Sequence, residues 1–199
     1  MSSEHYDLVL AGVGGQGIIF AGQILMEAAL KYDHKVYGFE MHGMARRGGA
    51  VSTHIRFGKE VFSPLVPMGS GRLLAAFEPV EALRNVRFMD KGAVVIINTA
   101  SVIPVSVSAG EGTYPDIREI EDAIGGRCAN IHTFDATSLA QEAGDPITMN
   151  VVMLGAICSA GVIPIQEDVM LEVVKKRTPA HLCDMNVAAF QKGYDTFKD

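Results

Sequence analysis

The stretch LVLAGVGGQGIIFAGQIL, Leu8 to Leu25, constrains this chain more than any other. Its first part is an apolar, β-favouring run that stops at glycines, the pattern of a strand buried on both faces. The residues that follow repeat apolar side chains at helical spacing (Ile18, Phe20, Ala21, Ile24, Leu25 and Ala28), with Gln23, Glu27 and Lys31 opposite them. A strand that turns over a few glycines straight into a helix opens an α/β sheet. With 199 residues, 48% of them hydrophobic, the chain can fill one such core, and two full domains would be cramped. The expected fold is therefore a single domain over residues 1–199, a three-layer α/β/α arrangement. Its sheet should be mixed but mostly parallel, with a Rossmann-like glycine turn after a central first strand.

Further along, HKVYGFE predicts a second strand ending at Glu40, and MHGMARRGGA, broken by Gly43, Gly48 and Gly49, predicts a surface loop. AVSTHIRFGKEVFSPLVP alternates and breaks at Gly58-Lys59, which predicts a β-hairpin and hence antiparallel pairing. RLLAAF and GAVVIINT are further buried strands joined through the amphipathic EPVEALRNVRFM, with Pro79 in its first turn. A short helix from Asp116 to Ile124, a strand at NIHTFDA and a helix at ATSLAQEAG follow. A buried helix begins near Val151, and two helices end the chain.

Gly12, Gly14 and Gly17 fit G-x-G-x-x-G in the strand-to-helix context that motif requires. Glycines permit a tight turn and close backbone approach, while free N–H groups and the helix dipole favour an anion. Glu40, at a strand end, stands near where an acid would hold a ribose hydroxyl, so a dinucleotide is one reading and a turn built for packing is the other. A P-loop is excluded, because Ile18 and Ile19 follow Gly17 where a lysine and a hydroxyl are needed. Gln16 is unusual in such a turn; its amide is expected to project as donor and acceptor toward some other partner.

A second constellation follows in MHGMARRGGAVSTHIR. Arg46 and Arg47 precede Gly48, Gly49 and Ser52, with His42, His54 and Arg56 close by. Guanidinium forks suit carboxylate or phosphate, and paired glycines let the backbone pass near a ligand or another chain; a solvated arginine pair beside an ordinary turn is the plainer account. His42 and His54 lack the spacing of metal ligands. Glu78, at a strand end, is expected to serve the first turn of the following helix, and Thr148 or Asn150 to cap the buried helix.

Composition removes whole classes of function. A net charge of −6 argues against a nucleic-acid surface or an anionic membrane. Cys128, Cys158 and Cys183 are odd in number and far apart, so neither a disulfide framework nor a self-contained zinc or iron–sulfur site is expected. With no export leader or long apolar run, the expected compartment is the cytoplasm. No nucleophile–histidine pairing suggests a catalytic residue in this chain.

Six segments in order, GVGGQGIIFAGQIL (Gly12 to Leu25), HGMARRGGAVSTHIRFG (His42 to Gly58), FSPLVP (Phe62 to Pro67), FEPVEALR (Phe77 to Arg84), MNVVMLGA (Met149 to Ala156) and NVAAFQKGY (Asn186 to Tyr194), cover most of the chain. Together they resemble the gamma-type subunit or domain of the 2-oxoacid:ferredoxin oxidoreductases, with the HGM form pointing to the indolepyruvate branch. The resemblance implies a subunit, inactive alone, of a complex that oxidatively decarboxylates a 2-oxoacid to an acyl-CoA and reduces ferredoxin. It also implies that thiamine diphosphate, Mg and [4Fe-4S] clusters sit in a larger partner subunit, consistent with the missing cysteine cluster here. Coenzyme A at the subunit boundary is the ligand it suggests for this chain. The residues it marks for that ligand or for the partner are Gly12, Gly14, Gly15, Gln16, Gly17, Arg46, Arg47, Gly48, Gly49 and Ser52.

Overall fold

The computed structural model describes residues 5–43 and 48–198. The apolar opening forms β1 (His5–Val13), and the glycine turn leads into α1 (Ile18–Leu30), β2 (Lys35–His42) and β3 (Ala50–Gly58). Then come β4 (Gly71–Ala76), α2 (Pro79–Asn85), β5 (Met89–Asn98), the single turn α3 (Val105–Ser108), α4 (Ile117–Gly125) and β6 (Asn130–Phe134). The chain closes with α5 (Ala136–Ala143), α6 (Met149–Ser159), α7 (Glu167–Arg177) and α8 (Cys183–Tyr194). The sheet order is β2-β3-β1-β4-β5-β6. Strands β1, β4, β5 and β6 are parallel, while β3 runs antiparallel to both its neighbours, β1 and β2. The sheet is mixed and mostly parallel, as the sequence predicts.

The antiparallel element arises differently from expectation. No hairpin forms at Gly58-Lys59: β3 pairs with β1 and β2, and residues 59–67 form no strand. The physical reason lies in the neighbours of β3: flanked by β1 and β2 and covered on both faces from Val51 to Ile55, it belongs in the sheet interior rather than in a two-stranded ribbon. Strand β2 also continues past Glu40 to His42, because its ladder with β3 reaches Val51.

Alternate residues of β1 serve opposite layers. Leu8 and Leu10 join Ile55, Phe57, Leu73 and Ile96 beneath α1, α6, α7 and α8, whereas Val9 and Ala11 join Leu74, Val95 and Ile97 beneath α2 and α4. Helix α6 is apolar all round, buried from Val151 to Cys158, and lies between the sheet and α8. The two helices meet backbone to backbone. A Cβ on Gly155 would stand 2.0 Å from the Phe190 carbonyl oxygen, and one on Gly193 would stand 1.8 Å from that of Val152.

The layer holding α2 and α4 leaves β2 and part of β3 without a helix. Polar groups instead fasten residues 59–70 there. Asp7, fully buried, accepts from Arg56 Nε at 2.8 Å and Ser70 Oγ at 3.1 Å. Arg56 Nη1 donates to the Ser63 and Leu65 carbonyls, and buried His54 accepts at Nδ1 from the Val66 N–H at 3.2 Å. These bonds tie the segment to β1 and β3, which makes it part of the domain rather than a loose connection.

Two outcomes follow from this packing. Gly155→Ala must push α6 and α8 apart, and chemical denaturation should show a loss of about 1–3 kcal/mol; an unchanged midpoint would mean that the contact yields freely. Burial, and then the charge of Arg87, hold His54 below its ordinary value of 6.5. Its native form is neutral while the unfolded chain takes up a proton first, so stability present above 6.5 is lost as pH falls toward the lowered native value. Melting temperature should therefore drop between about pH 7 and pH 5 more steeply for the wild type than for His54→Gln. Parallel curves would show that His54 does not titrate with folding.

Candidate functional site

The glycine turn is held by its own side chain. Gln16 does not project outward as expected from the sequence: its Oε1 accepts from Val13 N–H at 2.8 Å and its Nε2 donates to the Phe77 carbonyl at 2.9 Å. A Cβ on Gly12 would stand 2.6 Å from that Oε1, so the glycine makes room for the folded-back amide. Gly17 caps α1 in the left-handed conformation (φ 76°), and a Cβ there would meet Asn150 Nδ2 at 2.1 Å. This brings the start of α6 against the start of α1. Neither helix is closed by a side-chain cap, and neither carries an acid in its first turn. Thr148 is no side-chain cap either, because its Oγ1 donates to the Asp145 carbonyl.

The Phe77 carbonyl also accepts from Asn98 Nδ2 at 3.0 Å, and Asn98 Oδ1 takes the Ala136 N–H at 3.0 Å. Two side-chain amides therefore join the carboxyl ends of β1, β4 and β5 to the start of α5. Asn98 was not singled out from the sequence; its signal is a lone polar residue closing the apolar run AVVII. Glu78 caps α2 as expected, accepting from Glu81 N–H, and also holds Val102 N–H and the Tyr114 hydroxyl. Burial and this carboxylate raise the Tyr114 hydroxyl above its ordinary value, so it acts as a fixed donor.

The second constellation is partly joined to the first. Gly14 N–H donates to the Gly49 carbonyl at 2.8 Å and Gly48 N–H to the Gly14 carbonyl at 3.2 Å. Ser52 lies opposite Ala11 in the ladder and points to the other face from Val51. Arg46 and Arg47 lie outside the described residues. Of the described residues that flank that segment, Gly43 borders the cavity beside the turn and Gly48 bonds Gly14.

That cavity, of about 910 Å³, lies between the glycine turn, residues Ile18 to Phe20 of α1, Val51 and His42 at the end of β2. Its walls are largely apolar, and the unpaired first N–H groups of α1 supply its polar end. A smaller cavity of about 280 Å³ opens on the other side of Gly15 and Gln16, against Ser101, Thr137 and Ile147. Glu40 is not positioned for a ribose at the turn. It stands opposite Thr53 on exposed β2, and the whole of β3 separates it from β1, about 10 Å at ordinary strand spacing.

The donor set does not suit a metal. Among the described residues no cluster of three or more His, Cys, Asp or Glu side chains could hold an ion. Cys128 and Cys158 are buried in opposite layers, with their thiols against the Asp90 and Ile165 carbonyls. Burial pushes Cys158 up to about 12, the reverse of what a thiolate ligand needs.

Gln16→Ala removes both bonds of the turn and leaves the Val13 N–H without its partner. We expect a loss of about 1–2 kcal/mol by denaturation. A variant as stable as the wild type would mean that water replaces the amide and that the turn does not need it.

Residues 7–196 match the family model described as pyruvate ferredoxin/flavodoxin oxidoreductase. The chain is 40% identical over 200 residues to the indolepyruvate oxidoreductase subunit IorB of Thermococcus kodakarensis, covering 98% of each. The fold is that of the pyruvate oxidoreductase subunit PORC of Thermotoga maritima (TM-score 0.70, 23% identity, 96% of each chain). It is also found in the 2-oxoglutarate:ferredoxin oxidoreductase of Magnetococcus marinus (TM-score 0.71, 21% identity), where 98% of this chain aligns with 31% of a longer one. A family model matched over residues 7–196 and a relative 40% identical over 98% of each chain place this chain in the pyruvate ferredoxin/flavodoxin oxidoreductase family.

Proposed function

We propose that this chain is the small, gamma-type subunit of a 2-oxoacid:ferredoxin oxidoreductase of the indolepyruvate type, acting as a single domain over residues 1–199 in the cytoplasm. The observation that carries this is the 40% identity, over 98% of each chain, with a subunit named for indolepyruvate oxidation. The reaction is oxidative decarboxylation of a 2-oxoacid, an aryl pyruvate in this branch, to an acyl-CoA with reduction of ferredoxin. Thiamine diphosphate with its Mg ion, and the [4Fe-4S] clusters, belong on this reading to the larger subunit, where they supply carbanion and one-electron chemistry. The residues of this chain bind and enclose. None is assigned a catalytic role.

The site for coenzyme A on this reading is the cavity at the glycine turn. Phosphate oxygens would accept from the N–H groups that open α1, where no cap or carboxylate competes. Arg46 and Arg47, tethered between Gly43 and Gly48, would add charge-assisted bonds to the same phosphates. The apolar wall of Ile18, Ile19 and Val51 suits the uncharged parts of the ligand and keeps water from the subunit boundary. Gly12, Gly14, Gly15, Gln16 and Gly17 form the turn, and Gly48 and Gly49 hold it. Ser52, on the face of β3 opposite the cavity, would meet the partner rather than the ligand.

The test is anaerobic co-expression of the tagged chain with its larger subunit, assayed for ferredoxin reduction with 2-oxoacid and coenzyme A. The expected result is a stable complex, active on aryl pyruvates, in which Arg46→Ala or Arg47→Ala raises KM for coenzyme A about tenfold with kcat little changed. Loss of the complex in those variants would make the arginine segment an interface rather than a ligand site. A wild-type chain that stays alone, or binds NAD(P) tightly, would overturn the subunit reading.

A further inference from the structure

The layer without a helix over β2 carries an apolar patch. Tyr37, Phe39 and Met41 project from alternate positions of β2 onto the face shared with His54 and Arg56, their ladder partners being Arg56, His54 and Ser52 in turn. The fastened segment that follows β3 lies beside them. Arg56 bonds the carbonyls of Ser63 and Leu65, His54 bonds Val66 N–H, and the Lys35 ammonium sits 5.1 Å over the Phe62 ring. Phe62 is 79% exposed although its neighbours Val61 and Val66 are buried. A loop with its backbone pinned from below and its largest side chain turned outward is held in shape for contact, so the exposure is not a by-product of mobility. Strand β2 is also the sheet edge, so its outer N–H and C=O groups are open to a further strand.

We infer that this patch, Tyr37, Phe39 and Met41 of β2 with Phe62 and Leu65 of the pinned loop, is the docking face for the larger subunit of the complex. This rests on the reading under Proposed function. The five residues leave on the order of 500 Å² exposed, most of it apolar. A stable interface takes about 800 Å² from each partner, about 60% of it apolar, so this one patch supplies most of the apolar share of a half-interface. In the Magnetococcus marinus enzyme the same fold occupies 31% of a longer polypeptide, tied covalently to the rest. Where a domain of this fold meets its neighbour without such a tie, burial has to hold the two together. The facing surface is accordingly apolar at its centre, with carboxylate at the end that meets Lys35.

The experiment compares wild type, Phe62→Glu, Phe39→Ser and, as a control, Leu30→Glu, an apolar position on α1 across the sheet whose exposure lies between those of Phe39 and Phe62. Each tagged chain is co-expressed with the larger subunit, the complex is quantified by size exclusion, and the isolated chains are melted. Phe62→Glu, an exposed change, is expected to leave the melting temperature alone and to weaken the complex at least about tenfold. Phe39→Ser should weaken it in the same direction, while Leu30→Glu binds as the wild type does. Both patch variants binding at wild-type strength would overturn the inference and leave the subunit reading intact. A wild-type dimer of the isolated chain that Phe62→Glu dissolves, with complex formation undisturbed, would assign the patch to a second copy and overturn it too. A wild-type chain that fails to bind the larger subunit removes both readings together.

Discussion

One backbone carbonyl, that of Phe77, organises the end of the sheet where this protein presents its cavities. It accepts from Gln16, which comes from the turn after β1, and from Asn98, which closes β5. The Phe77 N–H donates to Ala11 in β1 at 2.7 Å. A peptide unit between three strands would otherwise be a buried acceptor with one partner too few; here both lone pairs are used and the strands are fixed in mutual depth. The glycine turn inherits its position from this arrangement. Gly12 leaves space for the amide, Gly17 lets α1 start against Asn150, and Gly14 extends the ladder toward Gly49.

The insertion of β3 between β1 and β2 decides what such a turn can hold. In a doubly wound sheet the strand beside β1 brings an acid to the rim of the phosphate site. Here that place belongs to an antiparallel strand whose amino end, not its carboxyl end, reaches the turn. It delivers the glycine pair Gly48-Gly49, and Glu40 is moved out to the edge. The same G-x-G-x-x-G turn, with its helix dipole intact, thus faces glycine backbone rather than a carboxylate, which suits an anion held by N–H groups and poorly suits a ribose.

How much of this was legible in the sequence depended on how local the cause was. β1, α1, β5 and the buried α6 follow from periodicity and punctuation within their own residues, and each lies where the pattern put it, to within a few residues. The cap at Glu78 was legible for the same reason, since a carboxylate before Pro79 and three residues from Glu81 N–H has a local partner. β3 was legible as a strand but not in its pairing. Gly58-Lys59 mimics a hairpin turn, and only the burial of both faces of β3, a property of its neighbours, rules the hairpin out. Gln16 was misjudged likewise: an amide in a glycine turn has no local partner in the sequence, because its acceptor, Phe77, is distant in the chain. Asn98 and the Asp7–Arg56 pair were missed through the same kind of separation.

The distribution of helices carries the argument furthest. α1, α5, α6, α7 and α8 crowd one face of the sheet while α2 and α4 cover the centre and far edge of the other. A sheet buries both faces only if something lies on each, and β2 carries Tyr37, Phe39 and Met41 toward the side where no helix follows. The chain does have residues to spare for that place. It uses 59–70 instead as a thin strap, held flat by a buried Asp7 carboxylate paired with the half-buried Arg56 and by a buried histidine. Burying charge for a strap that leaves Phe62 in water would be poor design for a domain that works alone, since well-packed apolar residues do as well in stability terms. Such a strap suits a surface whose shape matters more than its own burial, which is the demand that docking onto another protein makes.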